Sequence, residues 1–249
     1  MDIMGNKATA YGFIAAAEKA GLKLFLGSYP ITPATDVLHE LSKHKSLGVI
    51  TVQCEDEISG CATAIGASFA GALAVTTTSG PGVCLKSEAM NLAVITELPL
   101  VVLNVQRGGP STGLPTKSEQ TDLLQALFGR NGESPMPVIA ATSPTNCFDA
   151  AYAACKMALE HMTPVVLLTD GFVANGSGSW KLPNLDTYPE IKPQYVTPEM
   201  KDNYTPYKRN PENQVRYWAI PGQEGYTHIL GGLEKDSNTG CLLYTSPSP

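Results

Sequence analysis

The most constraining feature of this sequence is the repeated alternation of short apolar runs with longer helical stretches. The apolar runs are rich in branched residues, do not alternate with polar residues, and occupy 22–26, 49–52, 73–77, 98–105, 138–140 and 165–169. Such runs are typical of strands that are buried on both faces of a parallel sheet. The intervening stretches that predict helices are 6–20, 35–45, 57–69, 86–96, 120–128 and 145–161. This order predicts an α/β fold with a doubly wound parallel sheet, in which ligands bind beyond the carboxyl ends of the strands.

Composition divides the chain into a sheet domain and an arm. We expect the sheet domain to span residues 1–178 and the arm to span residues 179–240. Between Trp180 and His228 lie seven of the 19 prolines and six of the ten tyrosines, and prolines at this density exclude long helices. The aromatic residues favour an arm that is ordered by contact with a partner or the next domain over a disordered linker.

A short tail follows the arm. Residues 241–249, with the sequence CLLYTSPSP, resemble the translation of a sequencing adapter rather than the continuation of a domain. We therefore expect this tail to be non-native and leave it out of the fold prediction. We also expect the natural protein to continue beyond Gly240.

Charge, hydropathy and cysteine spacing exclude several classes of function. The net charge of −6 and the isoelectric point of about 5.2 argue against nucleic-acid binding. No apolar run approaches the roughly 20 residues that cross a bilayer, and the first residues lack the basic region of a secretory signal. We therefore expect a cytoplasmic protein without a membrane partner. The six cysteines form no CxxC pair and no cluster with histidine, so we expect no metal or iron–sulfur site within this chain.

Two loops that follow predicted strands carry hydroxyl groups. In the loop 27–33, flanking prolines hold Thr32 rigidly, although the same prolines also suit a stiff turn into a helix. The loop 76–82, with the sequence TTTSGPG, leads into a helix and could bind an anion through its main-chain N–H groups. It lacks the spacing of a phosphate-binding loop or a dinucleotide fold, so nucleotide binding has only weak support.

Two further loops after strands carry charge. Three acids at 55–57 precede a predicted helix, where the helix dipole favours acids and gives at least two of them a structural role. A buried carboxylate is costly without a partner, so one of these acids is a candidate for proton transfer. The long loop 106–117 carries Arg107, which suits recognition of a carboxylate. Lys117, in the same loop, fits a second anion site and an exposed surface position equally well.

These four loops together closely resemble one enzyme family. The shared motifs are YPITP at 29–33, EDE at 55–57 followed by GAS at 66–68, TTTSGPG at 76–82 and QRGGPSTGLPTK at 106–117. They resemble the alpha subunit of the 2-oxoacid:ferredoxin oxidoreductases, most closely of the 2-oxoglutarate type, over residues 5–240. The resemblance implies the thiamine-diphosphate-binding fold, with this chain as the pyrimidine-binding domain of a truncated alpha subunit.

The resemblance also implies roles for individual residues. Glu57, at the family's spacing from Gly66, is expected to contact the N1′ atom of the cofactor pyrimidine and to act in general acid–base catalysis. Thr32 and Arg107 resemble residues that bind the 2-oxoacid, and Lys117 is a weaker candidate for a second anion. The implied cofactor-binding residues are Tyr29, Pro30, Ile31, Glu57, Thr78, Ser79 and Gly80.

A reaction and a set of partners follow from the same resemblance. A 2-oxoacid, with 2-oxoglutarate favoured, is decarboxylated on thiamine diphosphate, coenzyme A takes the acyl group, and ferredoxin takes the electrons. The partner beta subunit is implied to hold Mg²⁺ and the iron–sulfur cluster. Two alternatives remain from the sequence. One is a non-catalytic assembly subunit, and the other is a transketolase-like or E1-type thiamine enzyme with a different electron acceptor.

Overall fold

The computed structural model describes residues 1–236, and these residues form an α/β domain followed by an arm. The strands are β1 (Asp2–Met4), β2 (Leu24–Ser28), β3 (Val49–Gln53), β4 (Leu73–Thr78), β5 (Leu100–Gln106), β6 (Val138–Ala140), β7 (Pro164–Asp170) and β8 (Ser177–Ser179). The α-helices are α1 (Gly5–Ala20), α2 (Thr35–Leu41), α3 (Glu57–Phe69), α4 (Gly80–Leu85), α5 (Ser87–Ile95), α6 (Leu123–Phe128), α7 (Asn146–His161) and α8 (Gly171–Asn175).

Six of these strands form one parallel sheet, in the order β3-β2-β4-β5-β7-β6. Each corresponds to one of the predicted apolar runs, so the predicted doubly wound parallel sheet is confirmed. The central strands β4, β5 and β7 are buried along their whole length, which explains their unbroken apolar character.

Side chains of the sheet alternate between two hydrophobic cores, one on each face. Along β5, Val101, Leu103 and Val105 enter the first core, whereas Leu100 and Val102 enter the second. Helices α1, α2 and α7 complete the first core, and helices α3, α5 and α6 contribute to the second. Because adjacent residues of a strand point to opposite faces, this assignment places helices on both sides of the sheet.

Several predicted helix bounds were wrong. The stretch 35–45 ends as an α-helix at Leu41, and a short 3₁₀ helix, Lys45–Leu47, leads into β3. The stretch 86–96 is preceded by a separate helix, α4, which begins at Gly80. The stretch 120–128 becomes helical only at Leu123, because the preceding main chain is held to the sheet: the N–H of Asp122 donates to Gln106 Oε1 at 3.0 Å.

A two-stranded ribbon outside the main sheet was missed by the sequence prediction. Strand β1 pairs antiparallel with β8, so that Ile3 lies opposite Gly178. Each strand has only three residues, which is too short for a recognisable pattern, and the pairing joins distant parts of the chain. The ribbon pairs residues 2–4 with residues 177–179, and the predicted division at residue 178 stays a prediction.

The arm after residue 179 packs on the sheet domain of the same chain. Ile191, Val215 and Trp218 are buried members of the first core, and Tyr152 Oη of α7 donates to the carbonyl of Pro189 at 2.5 Å. In the part of the arm up to residue 236, the helical elements are two 3₁₀ helices of three residues each, as the prolines require. Contact of the arm with a partner stays a prediction, and the tail 241–249 lies outside the described residues.

Candidate active site at the carboxyl edge of the sheet

Four loops meet at one edge of the sheet. Strands β3, β2, β4 and β5 are consecutive neighbours, and all run in the same direction. The loops that follow them are therefore brought side by side at their carboxyl ends, which is where doubly wound sheets bind ligands. These are the four loops in which the sequence predicts functional residues.

The three acids after β3 have three different environments. Asp56 is the N-cap of α3, and its carboxylate accepts a hydrogen bond from the N–H of Ser59 at 2.7 Å. This bond lowers the pKa of Asp56. Glu55 is exposed, whereas Glu57, the first residue of α3, is only 7% exposed. Asp56 is therefore the structural cap, and Glu57 is the buried acid that the sequence predicts.

Glu57 packs directly against the hydroxyl- and glycine-rich loop after β4. A Cβ atom at Gly82 would lie 1.9 Å from Thr78 Oγ1 and 2.9 Å from Glu57 Cγ, so only glycine fits there. Thr78 and Ser79 are both fully buried beside it. Glu57, Thr78 and Ser79 thus lie around Gly82, whereas a Cβ atom at Gly80 would meet Asp122. The binding of a cofactor by these residues stays a prediction.

Arg107, the first residue after β5, bridges two loops. Its Nη1 donates to the carbonyl of Thr32 at 2.7 Å, and its Nη2 donates to the carbonyl of Thr112 at 3.0 Å. Burial lowers the pKa of Arg107, and the negative charge of Glu57 opposes that change. Arg107 and Thr32 are therefore in contact, through the main-chain carbonyl of Thr32, and Thr32 itself is exposed. The predicted role of both residues in binding a 2-oxoacid stays a prediction.

The remaining predicted residues lie at the outer part of the same edge. Tyr29 is 38% exposed, and Pro30 and Ile31 are half-buried, with Ile31 packed against the first core. Lys117 is exposed, and its main chain closes a turn by accepting from the N–H of Gly108 at 2.8 Å. The side chain of Lys117 is not among those that line the cleft at this edge.

A cleft of about 400 Å³ opens beside Arg107. The residues that line it are Gly80, Pro81, Cys84, Arg107, Gly109, Pro110, Ser111, Glu119, Thr121, Asp122 and Gln125. Asp122 is fixed there because Asn104 Nδ2 of β5 donates to its Oδ2 at 2.9 Å. Sequence analysis missed Glu119 and Asp122 in the connection before α6 and Gln125 within α6, since a polar residue near the surface carries no signal of which wall it faces.

Sequence analysis also missed Lys86, between α4 and α5. Its side chain is 0% exposed, and its ammonium donates to Thr76 Oγ1 at 2.8 Å and to the carbonyl of Glu57 at 3.2 Å. A charged residue directly after the TTTSGPG loop, in an otherwise apolar helical stretch, was the available signal. From the sequence alone, Lys86 cannot be distinguished from a lysine on the surface of a helix.

Unpaired polar atoms at this edge fit a polar organic ligand. Ser79 Oγ, Arg107 Nε and Asn104 Oδ1 are all buried without a hydrogen-bond partner in the structure. Buried polar groups are normally hydrogen-bonded, so such a group of atoms indicates where a ligand would bind. Within residues 1–236, no group of three or more His, Cys, Asp or Glu side chains is placed to hold a metal ion. The unpaired atoms of this edge therefore suit the organic part of a cofactor.

A buried acid, a hydroxyl-rich loop and an arginine whose Nε is unpaired lie at the edge of a doubly wound sheet, the position at which enzymes with such sheets bind their ligands. Residues 15–238 match the family described as "Pyruvate flavodoxin/ferredoxin oxidoreductase, thiamine diP-bdg". The chain belongs to this family of thiamine-diphosphate-binding domains.

Relatives with assigned functions are similar in sequence and in structure. The chain is 55% identical over 242 residues to the "2-oxoglutarate oxidoreductase subunit KorA" of Mycobacterium tuberculosis, which covers 97% of this chain and 37% of that protein. It is 42% identical over 184 residues to the "2-oxoglutarate synthase subunit KorA" of Archaeoglobus fulgidus, covering 74% of this chain and 52% of that protein.

A solved structure has the same fold. It is 2-oxoglutarate:ferredoxin oxidoreductase from Magnetococcus marinus with 2-oxoglutarate, coenzyme A and succinyl-CoA bound. It superposes with a TM-score of 0.91 at 36% sequence identity, over 98% of this chain and 41% of that chain. The chain described here thus spans about a third to a half of the proteins it matches.

None of the helices within residues 1–236 is long and apolar enough to span a bilayer.

Proposed function

We propose that this chain is the pyrimidine-binding part of the alpha subunit of a 2-oxoacid:ferredoxin oxidoreductase that acts on 2-oxoglutarate. In the proposed reaction, 2-oxoglutarate and coenzyme A give succinyl-CoA and CO₂, and two electrons pass to ferredoxin. The observation that carries the proposal is the position of Glu57, a buried acid packed against Thr78 and Gly82 in a chain of this family.

The chain's own contribution to catalysis is proton transfer and orientation. Bound thiamine diphosphate supplies the carbon nucleophile for the 2-oxo carbon. Glu57 holds a proton at N1′ of the pyrimidine, as a positioned acid–base group excluded from water. Ser79 Oγ lacks a partner and is oriented to donate or accept one further hydrogen bond. Tyr29, Pro30 and Ile31 form the apolar side of this half-site.

Arg107 is the proposed anchor for the carboxylate of the substrate. Its Nε is buried and unpaired, while its two terminal nitrogens are already fixed by the carbonyls of Thr32 and Thr112. A guanidinium held in this way loses little entropy on binding an anion and presents a planar donor edge. Thr32 borders the same position, and Lys117 would meet a distal carboxylate or coenzyme A if its loop closed over the cleft.

The other half of the site is proposed to come from a beta subunit. The edge described here has donors for an organic ligand but no acidic cluster for magnesium within residues 1–236. We therefore assign Mg²⁺ and the iron–sulfur cluster to the beta subunit, which would pass electrons to ferredoxin. The chain by itself is expected to be inactive.

Replacing Glu57 tests this proposal. In the assembled complex, Glu57→Gln is expected to lower coenzyme A-dependent reduction of a viologen dye by about 10²- to 10⁴-fold, because an amide cannot exchange the proton. The measurement is kcat with 2-oxoglutarate, with pyruvate and with a branched 2-oxoacid. For the unchanged complex we expect kcat/KM to be highest with 2-oxoglutarate.

Glu55→Gln is the matched control, because Glu55 is a neighbouring acid that is exposed. Its turnover should equal that of the unchanged complex. Full turnover of Glu57→Gln in an intact complex would instead favour a non-catalytic assembly subunit. An active complex without iron–sulfur absorbance would favour an E1-type thiamine enzyme.

A further inference from the structure

Lys86 is a fully buried lysine that the proposed function does not use. It lies at the junction of α4 and α5, with 0% of its surface exposed. No carboxylate within residues 1–236 comes within 4.0 Å of its ammonium, so it forms no salt bridge there. Burial lowers the pKa of Lys86, and the nearby groups that oppose this are Cys61, Glu57, Cys54 and Asp56. A charge buried in this way costs stability.

The hydrogen bonds of Lys86 link the two elements that carry the buried acid and the hydroxyl loop. Thr76, which accepts at 2.8 Å, is on β4 two residues before Thr78. The carbonyl of Glu57, which accepts at 3.2 Å, belongs to the first residue of α3. Lys86 thus fixes the start of α3 against the end of β4, at the place where Glu57 meets Gly82.

A role in positioning the start of α3 explains the buried amine of Lys86 better than a contribution to the stability of the fold does. A methionine is unbranched and only one heavy atom shorter, and it would fill most of the same space without the cost of desolvating an amine. Retention of the amine therefore needs another benefit. The close packing of Glu57 Cγ on Gly82 leaves the acid dependent on the position of its main chain, and Lys86 binds that main chain directly.

We propose that Lys86 is a positioning residue, which holds the first turn of α3 so that the Glu57 carboxyl faces the cofactor pyrimidine. The inference rests on the proposed function. Lys86 does not contact substrate in this assignment. It acts through the main chain of Glu57 and through Thr76.

The test compares Lys86→Met with Lys86→Arg in the assembled complex. We expect Lys86→Met to lower kcat by about 10- to 100-fold, as expected for a slightly misplaced catalytic group, with KM for 2-oxoglutarate unchanged. The thermal midpoint without cofactor should stay equal or rise, because a buried charge is removed. Titration of thiamine diphosphate should show weaker binding, independently of turnover. Lys86→Arg keeps the positive charge and the hydrogen-bond donors, so it should retain most of the kcat and most of the affinity for thiamine diphosphate.

Ser68→Ala is the matched control, because Ser68 lies on α3, the helix whose first turn Lys86 is proposed to hold. Ser68 is also fully buried and donates to the carbonyl of Pro99 at 2.7 Å, at the far end of α3 from Glu57. Removing the Ser68 hydroxyl should lower the thermal midpoint of the complex and leave its kcat unchanged. Equal losses of kcat in Lys86→Met and Ser68→Ala, or unchanged kcat in Lys86→Met, would overturn the proposal. If Lys86→Met does not fold, the folded Lys86→Arg complex becomes the test. A kcat of Lys86→Arg that is reduced tenfold or more would then overturn the proposal.

Failure of this inference and failure of the proposed function give different results. If Glu57→Gln is inactive while Lys86→Met is fully active, only the role of Lys86 is wrong. If Glu57→Gln is fully active, the proposed function is wrong whatever Lys86→Met does.

Discussion

Glycine at position 82 allows the acid and the hydroxyl loop to approach each other. The space that a Cβ atom would take is occupied by Thr78 Oγ1 at 1.9 Å, and the Glu57 side chain lies next to it. Replacing Gly82 by alanine adds one methyl group, so this substitution tests how closely the two loops must pack. The distance is far below any contact that a methyl group tolerates.

Gly82→Ala is predicted to weaken thiamine diphosphate binding by about tenfold or more, because a misplacement of the order of an ångström disrupts a preorganised site. Calorimetric titration of the assembled complex measures the effect. Gly66→Ala, on the solvent side of α3, is the control, since nothing lies within 4 Å of its Cβ position. Alanine there should leave binding unchanged and stabilise the helix by about 0.5–1 kcal/mol. Equal binding by both variants would contradict the close packing described here.

Single residues also show where sequence reasoning succeeds and fails. The buried acid could be singled out as Glu57 because its spacing matches the family motif, and the structure separates it from the cap Asp56 and the exposed Glu55. Lys86 could not be predicted, because a lysine in a helix is normally solvated and its burial depends on how α4 and α5 pack on β4.

At the scale of elements, the start of α3 depends on a charged cap. The Asp56 carboxylate accepts from the N–H of Ser59, and the Ser59 hydroxyl in turn accepts from the N–H of Asp56 at 3.3 Å. The hydrogen bonds with Ser59 lower the pKa of Asp56 below its ordinary value of 3.8. The cap therefore stabilises the folded chain at pH values above 3.8, and this contribution is lost as the pH falls through the lowered pKa.

Asp56→Ala is predicted to lower the thermal midpoint at neutral pH, and the difference from the unchanged chain should shrink as the pH falls below 3.8. Thermal unfolding over a pH series measures this difference. Asp56→Asn keeps an oxygen cap without a titratable group, so its own midpoint difference from Asp56→Ala should be nearly independent of pH. If the difference in thermal midpoint between Asp56→Ala and the unchanged chain stays the same in acid, the charge of the cap contributes nothing to stability.

Elements with strong local signals were predicted, and those that depend on distant contacts were not. The six strands of the main sheet were recognised because each is a short run rich in apolar residues that alternates with predicted helical stretches along the chain. The β1–β8 ribbon was missed because its strands have three residues each and are polar in part, and because the pairing joins distant parts of the chain. The start of α6 was misjudged for a similar reason, since the hydrogen bond from the N–H of Asp122 to Gln106 Oε1 decides it. The end of α2 is decided locally, where the N–H groups of Lys43 and His44 donate to carbonyls three residues earlier.

At the scale of the whole molecule, the arm belongs to the folding unit of the sheet domain. Trp218 is fully buried in the first core, and its ring stacks on Tyr195 with centroids 5.6 Å apart. Arg216, two residues earlier, is also fully buried and donates from Nε to the carbonyl of Glu97 at 2.9 Å. These contacts predict that the sheet domain and the arm unfold together.

Trp218→Ala is predicted to destabilise the chain by about 3–5 kcal/mol, the usual cost of removing a large buried aromatic side chain. Urea denaturation followed by circular dichroism, a probe of the whole sheet domain, measures the free energy of unfolding. Leu182→Ala, at a position that is 67% exposed in the same arm, should change it by less than about 0.5 kcal/mol. A loss of arm structure in Trp218→Ala with an unchanged sheet-domain transition would show that the arm folds separately.

The β1–β8 ribbon brings the two ends of the sheet domain together. The N–H of Trp180 donates to the carbonyl of Met1 at 2.7 Å, so residues 1 and 180 lie side by side. A domain with adjacent ends can be inserted into another polypeptide, or permuted, without deforming its interior. Because the arm completes the first core, a region that is to be transferred or permuted without such deformation has to include Trp218 as well as residues 1–179.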